Sequence, residues 1–325
     1  MKVALCSVVS DEFVAGFIAM YRTLVQHNPT WSEYPFFVFS QVDNCRLSDQ
    51  GKALIAAHCE KALFVEVNND DYAGIHHYAE TVIGTPPRLR AAFYILESFR
   101  LHNFDIVVSL DSDMLILGSL EELLWEKNRF SAVRARDSSS NAPARFVNTG
   151  VMVVGNYYLN PAILKDFTKA LKTRPLLKGS GKADQAIINI FFQNETINYL
   201  LGKFNYTKRT VHNQMGKKAI ADINRVRAFL ADQDVRVLHF VGEKPWDTKM
   251  VAEELEYAAL EDIWYQTFYE VASVEAVQWL DRRRRAHEQK ARASYNAAVQ
   301  SLVTQKKWKK EDFEEKLKKQ LKKSA

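Results

Sequence analysis

The sequence predicts an α/β fold: a doubly wound, mixed but mainly parallel sheet followed by a C-terminal helical extension. Residues 2–9 and 35–40 are short, nearly continuous apolar runs bounded by polar turns, as expected of strands buried on both faces of a parallel sheet. Between them Phe13, Phe17, Met20, Leu24 and His27 recur at helical spacing, which completes a βαβ unit. From about residue 250 the alternation stops and only helical spacing remains, first in Trp264, Phe268 and Val271 and later in Phe313, Leu317 and Leu321.

The remaining elements follow in order. A helix is expected over 47–59, a strand over 62–67, a helix over 88–101 after Pro86-Pro87, and a buried strand over 105–110. A short helix over 119–125 precedes a strand over 146–154 that the polar Asn148-Thr149-Gly150 interrupts. Helices over 161–172 and 183–193 and a strand over 235–241 finish the alternation. This divides the chain into an α/β domain, 1–249, and a helical, basic extension, 250–325.

The bulk properties narrow the class. With 325 residues, 47% hydrophobic and 26% charged, the chain has a globular composition and can bury a large core. No apolar run approaches the roughly 20 residues of a spanning helix. Lys2 followed by an apolar run that Asp11 and Glu12 soon break is a poor signal peptide. Cys6, Cys45 and Cys59 are odd in number and lack metal-ligand spacing. These features predict a cytoplasmic protein without disulfides. The net charge of +5 is unevenly spread, because residues 282–325 hold 15 Lys/Arg against 5 Asp/Glu, so the tail is about +10 and the rest about −5.

Ligands of doubly wound sheets sit outside the carboxyl ends of the strands, and Asp111-Ser112-Asp113 falls at such an end. Two carboxylates two residues apart offer hard oxygen ligands to Mn²⁺ or Mg²⁺, and such an ion neutralises a diphosphate leaving group. A second strand end, Val237 to Trp246, carries His239, Gly242 and Lys244. The imidazole would complete a metal shell, the glycine would let backbone approach a ligand, and the lysine would pair with phosphate oxygens. The bland reading of each is a turn carboxylate, a strand-end histidine and a surface lysine.

Together Leu110-Asp-Ser-Asp-Met-Leu-Ile-Leu117, Asn148-Thr-Gly-Val-Met-Val153, Asp184-Gln-Ala-Ile-Ile-Asn189 and His239-Phe-Val-Gly-Glu-Lys-Pro-Trp246 resemble, in order and spacing, the family 8 glycosyltransferases over residues 2–248. That family includes glycogenin and bacterial lipopolysaccharide glucosyl- and galactosyltransferases. The resemblance implies a GT-A fold, a UDP-hexose donor, Mn²⁺ and retention of anomeric configuration. It assigns Asp111, Asp113 and His239 to the metal, Gly242 and Lys244 to the diphosphate, and Asn148 and Gly150 to the sugar. Ser112 joins the donor contacts, and Asp184 with Gln185 lines the reacting face. Val8, Val9, Ser10 and Phe13 correspond to the uridine edge, where Ser10 and Phe13 replace the Asn and Tyr common in the family.

Other departures bear on specificity. Ile95 stands where many relatives carry a basic residue, so Arg88 or Arg90 is expected to contact the donor instead. Gly181 replaces an acid of glycogenin-like members. Tyr206 alone is available where glycogenin carries its self-glucosylated tyrosine.

The resulting expectation is a hexosyltransferase acting on a glycan, glycolipid or lipopolysaccharide-type hydroxyl. Retention leaves two routes open: Asp184 as nucleophile, by the logic of retaining glycosidases, or Gln185 and Asn148 supporting the sugar cation during same-face attack. The rivals are a sugar-nucleotide-binding protein without turnover, a self-glucosylating primer, and a nucleotidyltransferase. The last would need a glycine-rich basic loop that residues 7–16 lack. The tail is expected to draw the protein to an anionic membrane surface or to form a homo-oligomer. Trp308 and Phe313 give too thin an aromatic stripe for nucleic acid.

Overall fold

The computed structural model describes residues 1–125, 129–136, 143–177, 179–216, 222–246, 257–286 and 289. The N-terminal half is built as the apolar runs require. Strand β1 (Val3–Val8) leads through helix α1 (Val14–His27) to β2 (Phe36–Ser40), and α2 (Asp49–His58) leads to β3 (Ala62–Glu66). Asp11 ties the start of this unit together, its Oδ1 accepting from the Ser48 amide and hydroxyl at 2.9 Å each. Ser48 in turn caps α2 by accepting from the Gly51 amide. Helix α3 (Ala73–Tyr78) and a 3-10 helix at Pro87–Arg100 precede β4 (Ile106–Leu110) and the short β5 (Met114–Ile116). The segment after Pro86-Pro87 thus winds more tightly than the α-helix its spacing predicts.

Strands β6 (Phe130–Arg136) and β7 (Pro143–Gly155) come next, followed by α4 (Ile163–Thr173), α5 (Asp184–Phe192) and β8 (Ile197–Leu200). Strand β9 (Tyr206–Thr207), helices α6 (Lys208–Met215) and α7 (Ile223–Asp232), β10 (Val237–His239) and α8 (Ala258–Val271) complete the labelled elements. A further helix covers 274–286.

The main sheet has the order β3-β2-β1-β4-β7-β6-β8. Every neighbouring pair is parallel except the two that β7 makes with β4 and β6. One reversed strand therefore makes the sheet mixed while leaving it mainly parallel, and the α/β expectation holds. The strand expected over 235–241 is only Val237–His239 and joins a second sheet of order β5-β10-β9.

Apolar cores cover both faces. On one side α1, Trp264, Phe268, Trp279 and Leu280 share a cluster with β1 and β4, so α8 and the 274–286 helix pack onto the same core as the N-terminal unit. On the other side Phe99 sits edge-on to Phe167 at 5.3 Å, and Phe130 stacks on Phe192 at 4.0 Å. Phe99 is fully buried among these rings. Its loss removes apolar contact and leaves a cavity, so Phe99→Ala is expected to cost about 3–5 kcal/mol, measured as a lower urea midpoint with the slope preserved.

Candidate active site

The sheet order reverses between β1 and β4, since β2 lies on one flank of β1 and β4 on the other. The carboxyl ends of these two strands frame a crevice, and Asp111-Ser112-Asp113 sits there. This loop is held from three directions. The Asp111 amide donates to the Gly150 carbonyl at 2.9 Å, and the Asp113 carbonyl accepts from the Phe240 amide at 2.9 Å. The Ser112 hydroxyl donates to the Val8 carbonyl at 3.3 Å, which turns this nearly buried side chain toward β1.

Strand β7 supplies the opposite wall. Its register against β6 jumps from Met152–Ala132 to Asn148–Val133, so residues 149–151 bulge out of that ladder while Val151 still pairs with Leu110 of β4. Bulges commonly re-aim side chains beside active sites. Here the Gly150 amide donates to Asn148 Oδ1 at 2.9 Å. A Cβ on Gly150 would lie 2.5 Å from His239 Cε1 and 2.7 Å from Met114 Cε, so only glycine lets the strand come this close.

His239 ends β10 and is 3% exposed. Its Nδ1 lies 2.8 Å from Asn205 Oδ1, and Asn205 Nδ2 donates to Asn148 Oδ1 at 2.6 Å. With the Asn205 amide in this orientation Nδ1 is the donor to Oδ1. Nε2 faces Asp113 Oδ1 at 3.2 Å and Asp111 Oδ2 at 3.6 Å. One ligand atom from each of Asp111, Asp113 and His239 lies within 4.8 Å of the others. Two carboxylate oxygens and an imidazole nitrogen suit Mn²⁺, and with more water Mg²⁺.

The charges around this group are closely matched. Lys244 Nζ pairs with Asp113 Oδ2, donates to the Phe240 carbonyl at 3.2 Å and lies 5.8 Å from the Phe13 ring centre. Burial disfavours the Asp113 carboxylate, but Lys244 and His239 outweigh it and hold the group well below the usual carboxylate range. Asp111 is shifted the other way by its recessed position and by the charge of Asp113. Burial also raises Asp184, against the opposing hydrogen bond from the Thr149 hydroxyl. Lys208, unremarked in the sequence, is 3% exposed with Nζ on the Glu243 carbonyl, and burial lowers its pKa. Burial pushes the Cys6 and Cys45 thiols up to about 12, which removes them as thiolate nucleophiles.

The other anticipated residues divide into groups. Asn148, Gln185 and Gly242 line a cavity of about 590 Å³ together with Asn205, Thr207 and Tyr257. Gly242 has φ +82°, a conformation that L side chains rarely adopt. Gln185 donates to the Ser180 carbonyl at 3.3 Å, whereas Asp184 turns to Thr149 and is not among the cavity's lining residues. At the proposed uridine edge, Val9 is fully buried and spends its amide on the Phe39 carbonyl. Val8 and Ser10 are partly exposed, and Phe13 meets Trp246 edge-on at 5.8 Å.

Arg90 is ion-paired with Glu80 and Arg88 is exposed. Among the described residues no hydrogen bond or ion pair joins either to the Asp111, Asp113 and His239 group. Their segment is tied to the loop before α5 by the Thr85 hydroxyl on the Lys182 carbonyl at 2.6 Å. Ile95 lies in the core. Tyr206 is 6% exposed and bonded to Gln214, which disfavours it as a self-glucosylated acceptor. Asn205 is a candidate site residue that sequence reasoning missed, although it stands next to Tyr206, which was considered for another reason.

Comparisons with known proteins agree with the family resemblance and with this fold. The profile "Glycosyl transferase family 8" matches residues 4–250. Among solved structures, the galactosyltransferase LgtC in complex with donor and acceptor sugar analogues is 18% identical, with a TM-score of 0.56, covering 83% of this chain and 97% of that one. The bifunctional glycosyltransferase WbbM is 16% identical with a TM-score of 0.54, covering 86% and 51%. The glycosyltransferase GlyE of Streptococcus pneumoniae TIGR4 is 17% identical with a TM-score of 0.51, covering 87% and 65%. No curated protein sequence matches the chain.

Because Asn205 fixes the His239 tautomer from outside the ligand group, Asn205→Ala is expected to weaken Mn²⁺ binding about 10- to 100-fold. The free-Mn²⁺ signal in an electron paramagnetic resonance titration checks this, with circular dichroism confirming the fold.

Proposed function

The chain belongs to glycosyl transferase family 8, and from that premise we propose that it moves a hexose from a UDP-sugar to a carbohydrate or glycolipid hydroxyl with retention of configuration. The observation that carries this reading is the Asp111, Asp113 and His239 group at the sheet's switch point, with Nε2 of the histidine turned toward both carboxylates. These three residues would hold Mn²⁺ or Mg²⁺, which when bound neutralises charge on the leaving diphosphate.

The chain's own residues do the rest. Lys244, which neutralises Asp113, is the cation we assign to the donor diphosphate, with the Gly242 backbone beside it. The uridine is assigned to Val8, Ser10 and Phe13, with Val9 contributing only backbone, and Ser112 locks that edge to the metal loop. Gly150 and Asn148 present the sugar. Arg88 or Arg90, on the segment that Thr85 ties to the loop before α5, remains the assigned basic contact to the donor.

Of the two retaining routes, the lining of the cavity favours same-face attack. Asn148 and Gln185 face the cavity, while Asp184 is engaged by Thr149. In this route the bond from C1 to the diphosphate oxygen breaks and its electron pair stays on the phosphate. The acceptor oxygen bonds C1 from the same face, and its proton passes to that phosphate oxygen. Gln185 gives its amide oxygen to the sugar cation, and Asn148, whose own oxygen already accepts from Gly150 and Asn205, holds the wall beside it. Family membership favours turnover over binding alone.

A panel of UDP-hexoses with Mn²⁺ tests the reading. Hydrolysis or transfer with one of them is expected, lost with EDTA and restored by Mn²⁺. Asp113→Asn is expected to lower turnover at least about 100-fold, beyond the effect of altering an outer partner of a metal site. Full activity in EDTA would remove the metal assignment.

We assign the basic tail to an anionic lipid surface. Its described part continues the 274–286 helix, where Arg283 lies 5.5 Å from the Trp279 ring centre and Arg284 lies 5.1 Å from that of Tyr265. The rest, apart from Gln289, lies outside the described residues. Among the described residues no helix is long and apolar enough to cross a membrane. Removing 287–325 keeps the buried Trp279 and Leu280. It is expected to abolish sedimentation with phosphatidylserine vesicles while leaving UDP-sugar hydrolysis unchanged. Binding of the intact chain should fall steeply with salt, because screening acts over about 8 Å at physiological ionic strength. If the intact chain ignores the vesicles, gel filtration of both forms tests the tail as an oligomer contact.

A further inference from the structure

A second cavity, of about 690 Å³, adjoins the one that holds Asn148 and Gln185, and Arg134 lines both. It starts at the carboxyl end of β6 and runs between α5 and the outer strand β8, lined by Asn189, Phe192 and Gln193 on one side and by Ile197 and Tyr199 on the other. Gln185, Asn189 and Gln193 are spaced four residues apart along α5 and its C-terminal cap, so they form one row. At about 1.5 Å of rise per residue, that row leads about 12 Å away from the reacting end of the site.

The side chains along this groove are set for hydroxyl groups. Asn189 is fully engaged, its Oδ1 accepting from the Val147 amide at 2.9 Å and its Nδ2 donating to the Gln185 carbonyl at 2.7 Å. One turn further on, Gln193 Nε2 is buried and, among the described residues, has no hydrogen-bond partner. A buried donor left unmade is costly, and one that lines a cavity is satisfied by an acceptor that enters it. At the other end the guanidinium carbon of Arg134 lies 3.9 Å from the centre of the Tyr199 ring. That stacking fixes the plane of the fork and leaves its N–H edge to a ligand. The other charged lining residues, Arg145 and Glu195, are of opposite sign, so the groove is not a field of one charge. Apolar and aromatic walls with a few placed donors are the usual lining of a small-molecule site.

We infer that this groove binds the second sugar unit of the acceptor, so that the enzyme extends the end of an oligosaccharide in preference to a single sugar. The terminal unit occupies the cavity at Gln185, Arg134 donates to hydroxyls at the junction of the two cavities, and Gln193 donates to the unit behind. This rests on the glycosyltransferase reading.

The test uses the full chain saturated with Mn²⁺ and UDP, which fills the donor side. Isothermal titration then compares methyl glucoside and methyl galactoside with methyl maltoside, methyl cellobioside and methyl lactoside. At least one disaccharide is expected to bind about tenfold or more tightly than the methyl glycoside of its own terminal sugar, the scale of a hydrogen bond to a charged group. In Gln193→Leu, close in size to the native residue, and in Tyr199→Ala, which takes away the support of Arg134, that preference should vanish while UDP affinity stays within about twofold. Tyr199→Phe keeps the ring and should keep the preference. Equal binding of every disaccharide and its single sugar overturns the proposal, as does a preference that survives Gln193→Leu and Tyr199→Ala or is lost in Tyr199→Phe. Loss of UDP affinity in a variant whose circular dichroism is unchanged also overturns it, by giving the groove to the donor. Failure of the wild-type chain to bind UDP with Mn²⁺ would instead sink the donor reading itself, and is seen before any glycoside is added.

Discussion

The contact between the bulged part of β7 and the His239 ring is the constraint on which the site depends. Gly150 gives its carbonyl to Asp111, its amide to Asn148 and its missing side chain to the imidazole. Asn148 then accepts from Asn205, and Asn205 orders His239. Three strands that are far apart in the chain are thereby fixed to one another by short polar contacts in a nearly buried region. Networks of this kind are rigid when every member is satisfied and costly when one is not.

The same logic explains the pairing of Asp113 with Lys244. A carboxylate 4% exposed beside a second carboxylate has no stable isolated state. The lysine keeps it ionised in the ligand-free arrangement, so the oxygens are ready as ligands without having to lose a proton first. Asp111 carries more of the strain between like charges, but its side chain is 41% exposed, and water shares the burden.

Much of this was legible in the sequence because the N-terminal strands are buried on both faces. Residues 2–9, 35–40 and 105–110 read as apolar runs and became β1, β2 and β4. The Asp-x-Asp, Asn-Thr-Gly and His-to-Lys segments were found because their residue types are chemically distinctive. What stayed hidden lacks periodicity. Strands β5 and β9 are three and two residues long, and β6 carries two exposed arginines that blur its alternation. No local pattern announces that β7 runs backwards, since direction is fixed by which neighbours it pairs with. Asn205 was hidden for the same reason: its value lies in Asn148 and His239, 57 and 34 positions away. The stacked Arg134 was likewise invisible until β8 brought Tyr199 beneath it.

The sharing of one core by α1 and the C-terminal helices bears on how the chain is made. Trp264, Phe268, Trp279 and Leu280 cover the same apolar surface as Phe17, Met20 and Leu24, and β10 must find β5 across more than a hundred residues. Loop closure over such distances is paid before the contacts reward it. While a ribosome adds residues at about 5–20 per second, a nascent chain of the first 250 residues carries every family motif and yet leaves the outer face of α1 uncovered. Completion of this core therefore waits on α8 and the 274–286 helix, and until they emerge its apolar side chains stay open to water.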